Sequence, residues 1–100
     1  MSLFDMTGKV AIITGSSRGI GQAIAEEMAD HGAKVAISSR NIEDCEAVAA
    51  GINAKHPGAA IAVASSLSSK ESLQNLVDET RKAFGKVDVL VFNAASNPHY

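Results

Sequence analysis

Four short apolar runs alternate with three longer segments of helical periodicity, and this alternation constrains the fold more than any other feature of the chain. The first run, residues 9–14, is rich in β-branched side chains and apolar on both faces. That pattern is typical of a strand covered on both sides in a parallel sheet. Similar runs follow at residues 34–39, 60–64 and 87–92. The order βαβαβαβ with short connections predicts an α/β fold, a doubly wound parallel sheet with right-handed crossovers.

Each helical segment carries apolar side chains at helical spacing, and its ends carry recognisable signals. Gly32 and Gly85 end the first and third segments, because glycine can adopt the left-handed conformation that closes a helix. Asn41 is placed to cap the second segment, and Ser68-x-x-Glu71 matches a capping box before the third. The predicted apolar stripes are Ile20, Ala23, Ile24 and Met28; Ile42, Cys45, Val48, Ala49 and Ile52; and Leu73, Leu76, Val77, Thr80 and Phe84.

A glycine-rich turn over residues 14–21 joins the first run to the first helical segment. In this context Gly15 permits a tight turn, Gly19 lets backbone approach a ligand, and Gly21 lets the helix pack close to the strand. The helix N-terminus offers free N–H groups and a partial positive charge to a pyrophosphate. We therefore predict a dinucleotide phosphate site here. The candidate residues are Gly15, Ser17, Arg18, Gly19, Ile20 and Gly21.

The spacing of these glycines separates this turn from other phosphate-binding loops. A Walker loop requires Gly-Lys-Ser/Thr, and the fingerprint Gly-x-Gly-x-x-Gly orders its glycines differently. The observed Gly-x-x-x-Gly-x-Gly resembles the short-chain dehydrogenase/reductase family. Asn93-Ala94-Ala95 is similar to that family's Asn-Asn-Ala-Gly segment, with Phe92 and Ala95 as departures. The resemblance implies a Rossmann-type fold, with residues 1–100 as the N-terminal cofactor-binding part of one domain, truncated after the fourth strand.

The residues after the second run bear on the choice of nicotinamide cofactor. An acidic residue there would accept hydrogen bonds from the ribose 2′-hydroxyl of NAD, but this chain carries Ser39 and Arg40. A guanidinium can bind a 2′-phosphate through two hydrogen bonds, and Ser39 adds a hydroxyl donor. Arg18 can approach from the other side. We therefore predict NADP(H) as the cofactor.

The family resemblance implies further cofactor contacts after the third and fourth strands. Ser66, followed by Leu67, takes the position at which family members often have an aspartate against the adenine. Asn93 matches the asparagine that steadies the centre of the sheet and the cofactor side. Ala94 and Ala95 keep the backbone close to the cofactor ribose.

Several chemically reactive side chains are predicted to be structural. Cys45 belongs to an apolar stripe, His31 lies near a helix end, and His56 belongs to a turn. Asp88 precedes an apolar strand, so hydrogen bonding is favoured over a role as general base. Three scattered histidines and one cysteine show no metal-ligand spacing, and we predict no metal site.

No catalytic residue is assigned to this chain. The resemblance implies a catalytic tyrosine followed four residues later by lysine, with a serine upstream and an asparagine on the next helix. Tyr100 is the single tyrosine and lies well before the position of that motif. We expect a fifth strand to be needed beside the fourth, and apolar surface on Val89 and Val91 to lie uncovered without it.

The sequence therefore favours the cofactor-binding part of an NADP(H)-dependent oxidoreductase that interconverts a carbonyl and an alcohol of a small-molecule substrate; a 3-oxoacyl reductase is among the open substrate classes. A non-catalytic NADP(H)-binding or scaffold module is the alternative. A methyltransferase-like domain is a third interpretation, which Ser39 and Arg40 oppose because such domains normally carry an acid there.

Composition excludes several other classes. Nine basic against eleven acidic residues give a net charge of −2, which argues against nucleic-acid binding. No run of eighteen apolar residues exists to span a membrane, and the first residues do not form a signal peptide. A single cysteine excludes an intramolecular disulfide and suggests the cytoplasm. The resemblance implies a homotetramer or homodimer for the complete protein.

Overall fold

A computed structural model describes residues 5–15, 19–65 and 70–92 of the chain. Strands and helices alternate through these ranges, as predicted. They are β1 (Val10–Thr14), α1 (Gly19–Asp30), β2 (Lys34–Ser39), α2 (Ile42–Lys55), β3 (Ala60–Ala64), α3 (Lys70–Phe84) and β4 (Val89–Phe92).

The strands form one parallel sheet in the order β3-β2-β1-β4. β1 and β2 pair from Val10 opposite Lys34 to Thr14 opposite Ser38. The chain thus steps from β1 outward to β2 and β3, then crosses back to lay β4 on the other side of β1. The doubly wound α/β sheet predicted from the sequence is confirmed, and its direction of winding reverses between β1 and β4.

Helices cover both faces of the sheet. α1 and α2 pack on one face, where Ala11 and Ile13 of β1 belong to one buried cluster with residues such as Ala25 and Cys45. α3 packs on the other face, where Leu76 belongs to a second buried cluster with Ile12. Alternate side chains of β1 therefore serve opposite layers, which explains why this strand is apolar throughout. All five of its residues are buried.

The predicted helix ends are largely confirmed. α1 ends before Gly32, whose φ of +103° is in the left-handed region. Asn41 caps α2 by accepting hydrogen bonds from two amides of the first turn. Gly85 follows α3 with a φ of +88°. The predicted capping residue Ser68 lies outside the described residues.

The fourth strand differs from its prediction in two ways. It begins at Val89, two residues later than predicted, and just before it the Val10 amide donates to the Asp88 carboxylate, an acceptor that lies outside the strand ladder. The expectation that Val89 and Val91 lie uncovered is wrong. Both are half-buried against the α1/α2 face, and Leu90 is the exposed side chain, at 48%.

Among the helices of the described ranges, none is both long enough and apolar enough to cross a membrane.

Candidate functional site

All strand ends with the same polarity meet at one side of a parallel sheet, which we call the carboxyl edge. The predicted site residues that the structure describes lie at this edge: Gly15 follows β1, Gly19 to Gly21 begin α1, and Ser39 and Arg40 lie at the end of β2. α1 also begins at this edge, at Gly19 within the glycine-rich segment. In open α/β sheets, ligands bind outside the carboxyl ends where the winding reverses, which here is between β1 and β4.

Gly15 makes the turn that leaves β1. Its φ of +68° is a conformation that side chains with a Cβ seldom adopt, so glycine is required for a physical reason. Its amide donates to the carbonyl of Ser38, with N and O 2.6 Å apart, which holds the turn against the end of β2. Gly19 and Ile20 are the first residues of α1, and Gly21 is buried.

Two predicted ligands of the glycine-rich turn, Ser17 and Arg18, lie outside the described residues, and so do Ser66, Leu67, Asn93, Ala94 and Ala95. The structure does describe the residues just before Ser66 and just before Asn93. The Ser65 amide donates to the Ser39 carbonyl over 2.9 Å, so the last described residue before Ser66 lies beside the end of β2. β4 ends at Phe92 and pairs with β1, with Thr14 opposite Phe92, so the last described residue before Asn93 lies beside the end of β1. These assignments stay predictions.

Beneath the carboxyl edge lie buried hydroxyl groups that sequence reasoning did not single out. Ser38 and Ser65 hydrogen-bond to each other through Oγ atoms 2.5 Å apart, joining β2 to the end of β3. Thr14 Oγ1 donates to the Val91 carbonyl over 3.3 Å, joining β1 to β4. In the sequence, their signal is a hydroxyl residue at or directly after the end of each of the first three apolar runs, where a fully apolar strand would continue with a hydrocarbon side chain.

The β2–α2 turn, residues 39–41, carries the predicted 2′-phosphate ligands. Arg40 is exposed, as a cation that meets an incoming ligand must be. Ser39 Oγ accepts from the Asn41 amide over 3.2 Å and lies 3.1 Å from Cys45 Sγ. The Ser39 hydroxyl predicted as a phosphate donor is therefore also engaged within its own turn. No acidic residue occupies this turn.

Cys45 has the packing role predicted for it. It is fully buried among the side chains between α2 and the sheet. Burial raises the pKa of its thiol, so the group is neutral at physiological pH and can donate its S–H hydrogen. Its contact with Ser39 was not predicted from the sequence.

Asp88 lies at the opposite edge from the glycine-rich turn. Its carboxylate accepts from the Val10 amide over 2.9 Å and is 3.1 Å from Lys86 Nζ. The hydrogen bond from Val10, then the one from Lys86, lower the pKa of this carboxyl. The predicted hydrogen-bonding role is confirmed, and its place at the amino end of β1 separates it from the candidate site.

The histidines of the described ranges pair with carboxylates on the helices. His31 Nε2 lies 3.0 Å from Glu27 on α1, and His56 Nε2 lies 2.8 Å from Asp30, which joins the end of α2 to α1. The hydrogen bond from His56 lowers the pKa of Asp30. Within residues 5–15, 19–65 and 70–92, no three metal-ligating side chains gather into a cluster.

A parallel sheet wound in both directions, with a left-handed glycine turn at the reversal, defines the Rossmann-type class of α/β proteins. Residues 9–99 match the short chain dehydrogenase family. The chain is 40% identical over 89 residues to 3-oxoacyl-(acyl-carrier-protein) reductase FabG of Haemophilus influenzae, an alignment covering 89% of this chain and 35% of that protein. The chain belongs to the short-chain dehydrogenase/reductase family.

Solved structures agree with this assignment. The C-domain of a bacterial malonyl-CoA reductase, crystallised with NADP, superposes with a TM-score of 0.86 at 35% identity, over 92% of this chain and 15% of that one. A 3-ketoacyl-(acyl-carrier-protein) reductase of Brucella melitensis, complexed with NADH, gives 0.79 at 40% identity, over 85% and 34%. The chain spans about a third of the length of the Haemophilus relative.

Proposed function

We propose that residues 1–100 are the N-terminal, cofactor-binding part of a single oxidoreductase domain that interconverts a carbonyl and an alcohol with NADP(H). One observation carries the proposal. The Gly15 amide donates to the Ser38 carbonyl, so Gly15, the first glycine of the proposed phosphate turn, lies beside the end of β2, where Ser39 and Arg40 follow. A dinucleotide with a 2′-phosphate needs both groups of contacts at one place.

The residues at this edge suit the chemistry of the cofactor. The turn after Gly15 and the N-terminus of α1 suit the pyrophosphate, and Arg40 suits the 2′-phosphate. NADP(H) supplies the hydride at its nicotinamide ring, while the protein supplies orientation and electrostatics. The remaining proposed cofactor residues are Ser17, Arg18, Gly19, Ile20, Gly21, Ser39, Ser66, Leu67, Asn93, Ala94 and Ala95.

The charge at the end of β2 supports NADP(H) in particular. The structures compared above contain NADP in one case and NADH in the other, so family membership alone does not choose between them. Arg40 is exposed, and no carboxylate replaces it in the β2–α2 turn. A carboxylate there would repel a 2′-phosphate, whereas a guanidinium attracts it.

The remainder of the protein completes the proposed enzyme. We assign no catalytic residue to residues 1–100 and place the proton-transferring tyrosine and its lysine beyond them. The substrate is a small carbonyl or alcohol compound. The complete protein is proposed to be a cytoplasmic homotetramer or homodimer, as the family resemblance implies.

A substitution in the glycine-rich turn tests the proposal. Gly19→Val places a branched side chain where backbone should approach phosphate. We expect loss of NADPH binding, measured by fluorescence titration, with a circular-dichroism spectrum like that of the parent. Gly51→Val is the matched control, because a Cβ at this helical glycine meets no atom within 4 Å. Normal NADPH binding by Gly19→Val would show that the turn is not the phosphate site.

A further inference from the structure

The hydroxyl of Ser39 makes its described contacts inside the protein. Ser39 Oγ accepts a hydrogen bond from the Asn41 amide at 3.2 Å and donates to the Asn41 carbonyl at 3.3 Å. Its third neighbour is Cys45 Sγ at 3.1 Å. The hydroxyl thus closes a small turn around Arg40 and connects that turn to Cys45 on the buried face of α2.

Both neighbours of Arg40 are fixed by the fold. On one side, the Ser39 carbonyl accepts from the Ser65 amide over 2.9 Å, which anchors it to the end of β3. On the other side, Asn41 Oδ1 accepts from the amides of Glu43 and Asp44 at 3.0 and 3.2 Å. Arg40 lies exposed between these anchors.

The contact with Cys45 extends this arrangement into the core. Cys45 is 0% exposed, so no ligand reaches its side chain. Its neutral thiol can donate to Ser39 Oγ, while that oxygen also accepts from the Asn41 amide. The buried layer of α2 thereby holds the Ser39 hydroxyl in one orientation.

We propose that Ser39 is a positioning residue, whose hydroxyl, held by Cys45 and Asn41, fixes the backbone of Arg40 for the 2′-phosphate. This inference rests on the proposed function and deepens it. A turn that is ordered before the ligand arrives loses less conformational entropy on binding, so ligands that contact this turn bind more tightly. NADPH therefore gains from the arrangement, and NADH, which lacks the 2′-phosphate, does not.

The decisive variant is Cys45→Val, because a buried side chain cannot act by touching the cofactor. It keeps an apolar side chain in the core and removes the hydrogen bond to Ser39. In the full-length protein, we expect Cys45→Val and Ser39→Ala each to weaken NADPH binding by about three- to tenfold. The dissociation constant for NADH should change less than about twofold.

Two controls separate positioning from general destabilisation. Asn53→Ala removes a side chain that bridges α2 to Ala60 through two hydrogen bonds, away from the carboxyl edge. It should lower the melting temperature and leave the ratio of NADPH to NADH dissociation constants unchanged. In an Arg40→Ala background, Cys45→Val should not change that ratio further, since the positioned group is gone.

The results that would contradict the proposed function and those that would contradict the positioning role can be told apart. If Arg40→Ala leaves the ratio unchanged, the proposed NADP(H) preference itself fails. If Arg40→Ala removes the preference for NADPH while Cys45→Val retains it, only the positioning role fails. In that case, a loss of NADPH affinity but not NADH affinity in Ser39→Ala would make Ser39 a direct ligand of the 2′-phosphate. If Asn53→Ala shifts the ratio as much as Cys45→Val does, the effect is general destabilisation and the inference is overturned.

Discussion

Arg40 is the residue whose charge carries the proposed choice of cofactor. It is exposed, follows β2 directly, and has no carboxylate beside it in the β2–α2 turn. Its position could be predicted from the sequence, because the end of an apolar run marks where a strand meets the carboxyl edge. The contact of neighbouring Ser39 with Cys45 could not, because it depends on how α2 packs against β2.

Reversing the charge at Arg40 should reverse the preference. Arg40→Asp removes a charge-assisted contact and adds repulsion, so we expect NADPH binding to weaken by about 2–4 kcal/mol, measured by calorimetric titration. Arg81→Asp makes the same change of charge on α3, which covers the opposite face from α2, and should leave the NADPH affinity within about twofold. Equal losses in the two variants would show a general electrostatic effect.

Asp88 gives a second prediction for a single residue, concerning pH. Its hydrogen bonds from Val10 and Lys86 lower the pKa of the carboxyl in the folded protein below the ordinary 3.8. The stabilisation is therefore complete above that ordinary value and is lost as pH falls through the folded pKa. We expect Asp88→Asn to lower the melting temperature at neutral pH and to reduce its further decrease as the pH falls below the ordinary value of 3.8. Parallel curves for parent and variant would contradict this.

At the scale of elements, β2 and β3 have the bounds that their apolar runs predict, and Asn41 caps α2 as predicted. The start of β4 was predicted two residues early, and just before it the Val10 amide donates to the Asp88 carboxylate, an acceptor that the apolar pattern does not reveal. Apolar patterning thus locates elements well. It does not show which polar group completes a strand's hydrogen bonds.

Two glycines make a matched test at this scale. Gly32 follows α1 with φ +103°, and a Cβ there would lie 2.6 Å from Thr7 Oγ1, close to Thr7 backbone as well. Gly51 lies within α2, where a Cβ meets nothing within 4 Å. In urea unfolding, Gly32→Ala should destabilise by roughly 1–3 kcal/mol and Gly51→Ala should stabilise by roughly 0.5–1 kcal/mol. Equal effects would contradict the assignment of Gly32 as the end of α1.

At the scale of the whole molecule, the sheet order brings together residues far apart in the chain. The order of strands and helices allowed a doubly wound sheet to be predicted, and the structure locates the switch of winding between β1 and β4. The hydroxyl pair Ser38–Ser65 could not be predicted, because it depends on the register of β2 against β3. Side-chain contacts across parallel strands follow from register, and a run of apolar residues leaves register unspecified.

The most direct test of the central claim compares dissociation constants of NADPH and NADH for the unmodified protein, by calorimetry at one pH and ionic strength. Because Arg40 is exposed at the end of β2, we expect NADPH to bind at least about tenfold more tightly than NADH. The difference should shrink as salt is added, since an exposed ion pair is screened. Equal affinities, or tighter binding of NADH, would contradict the account.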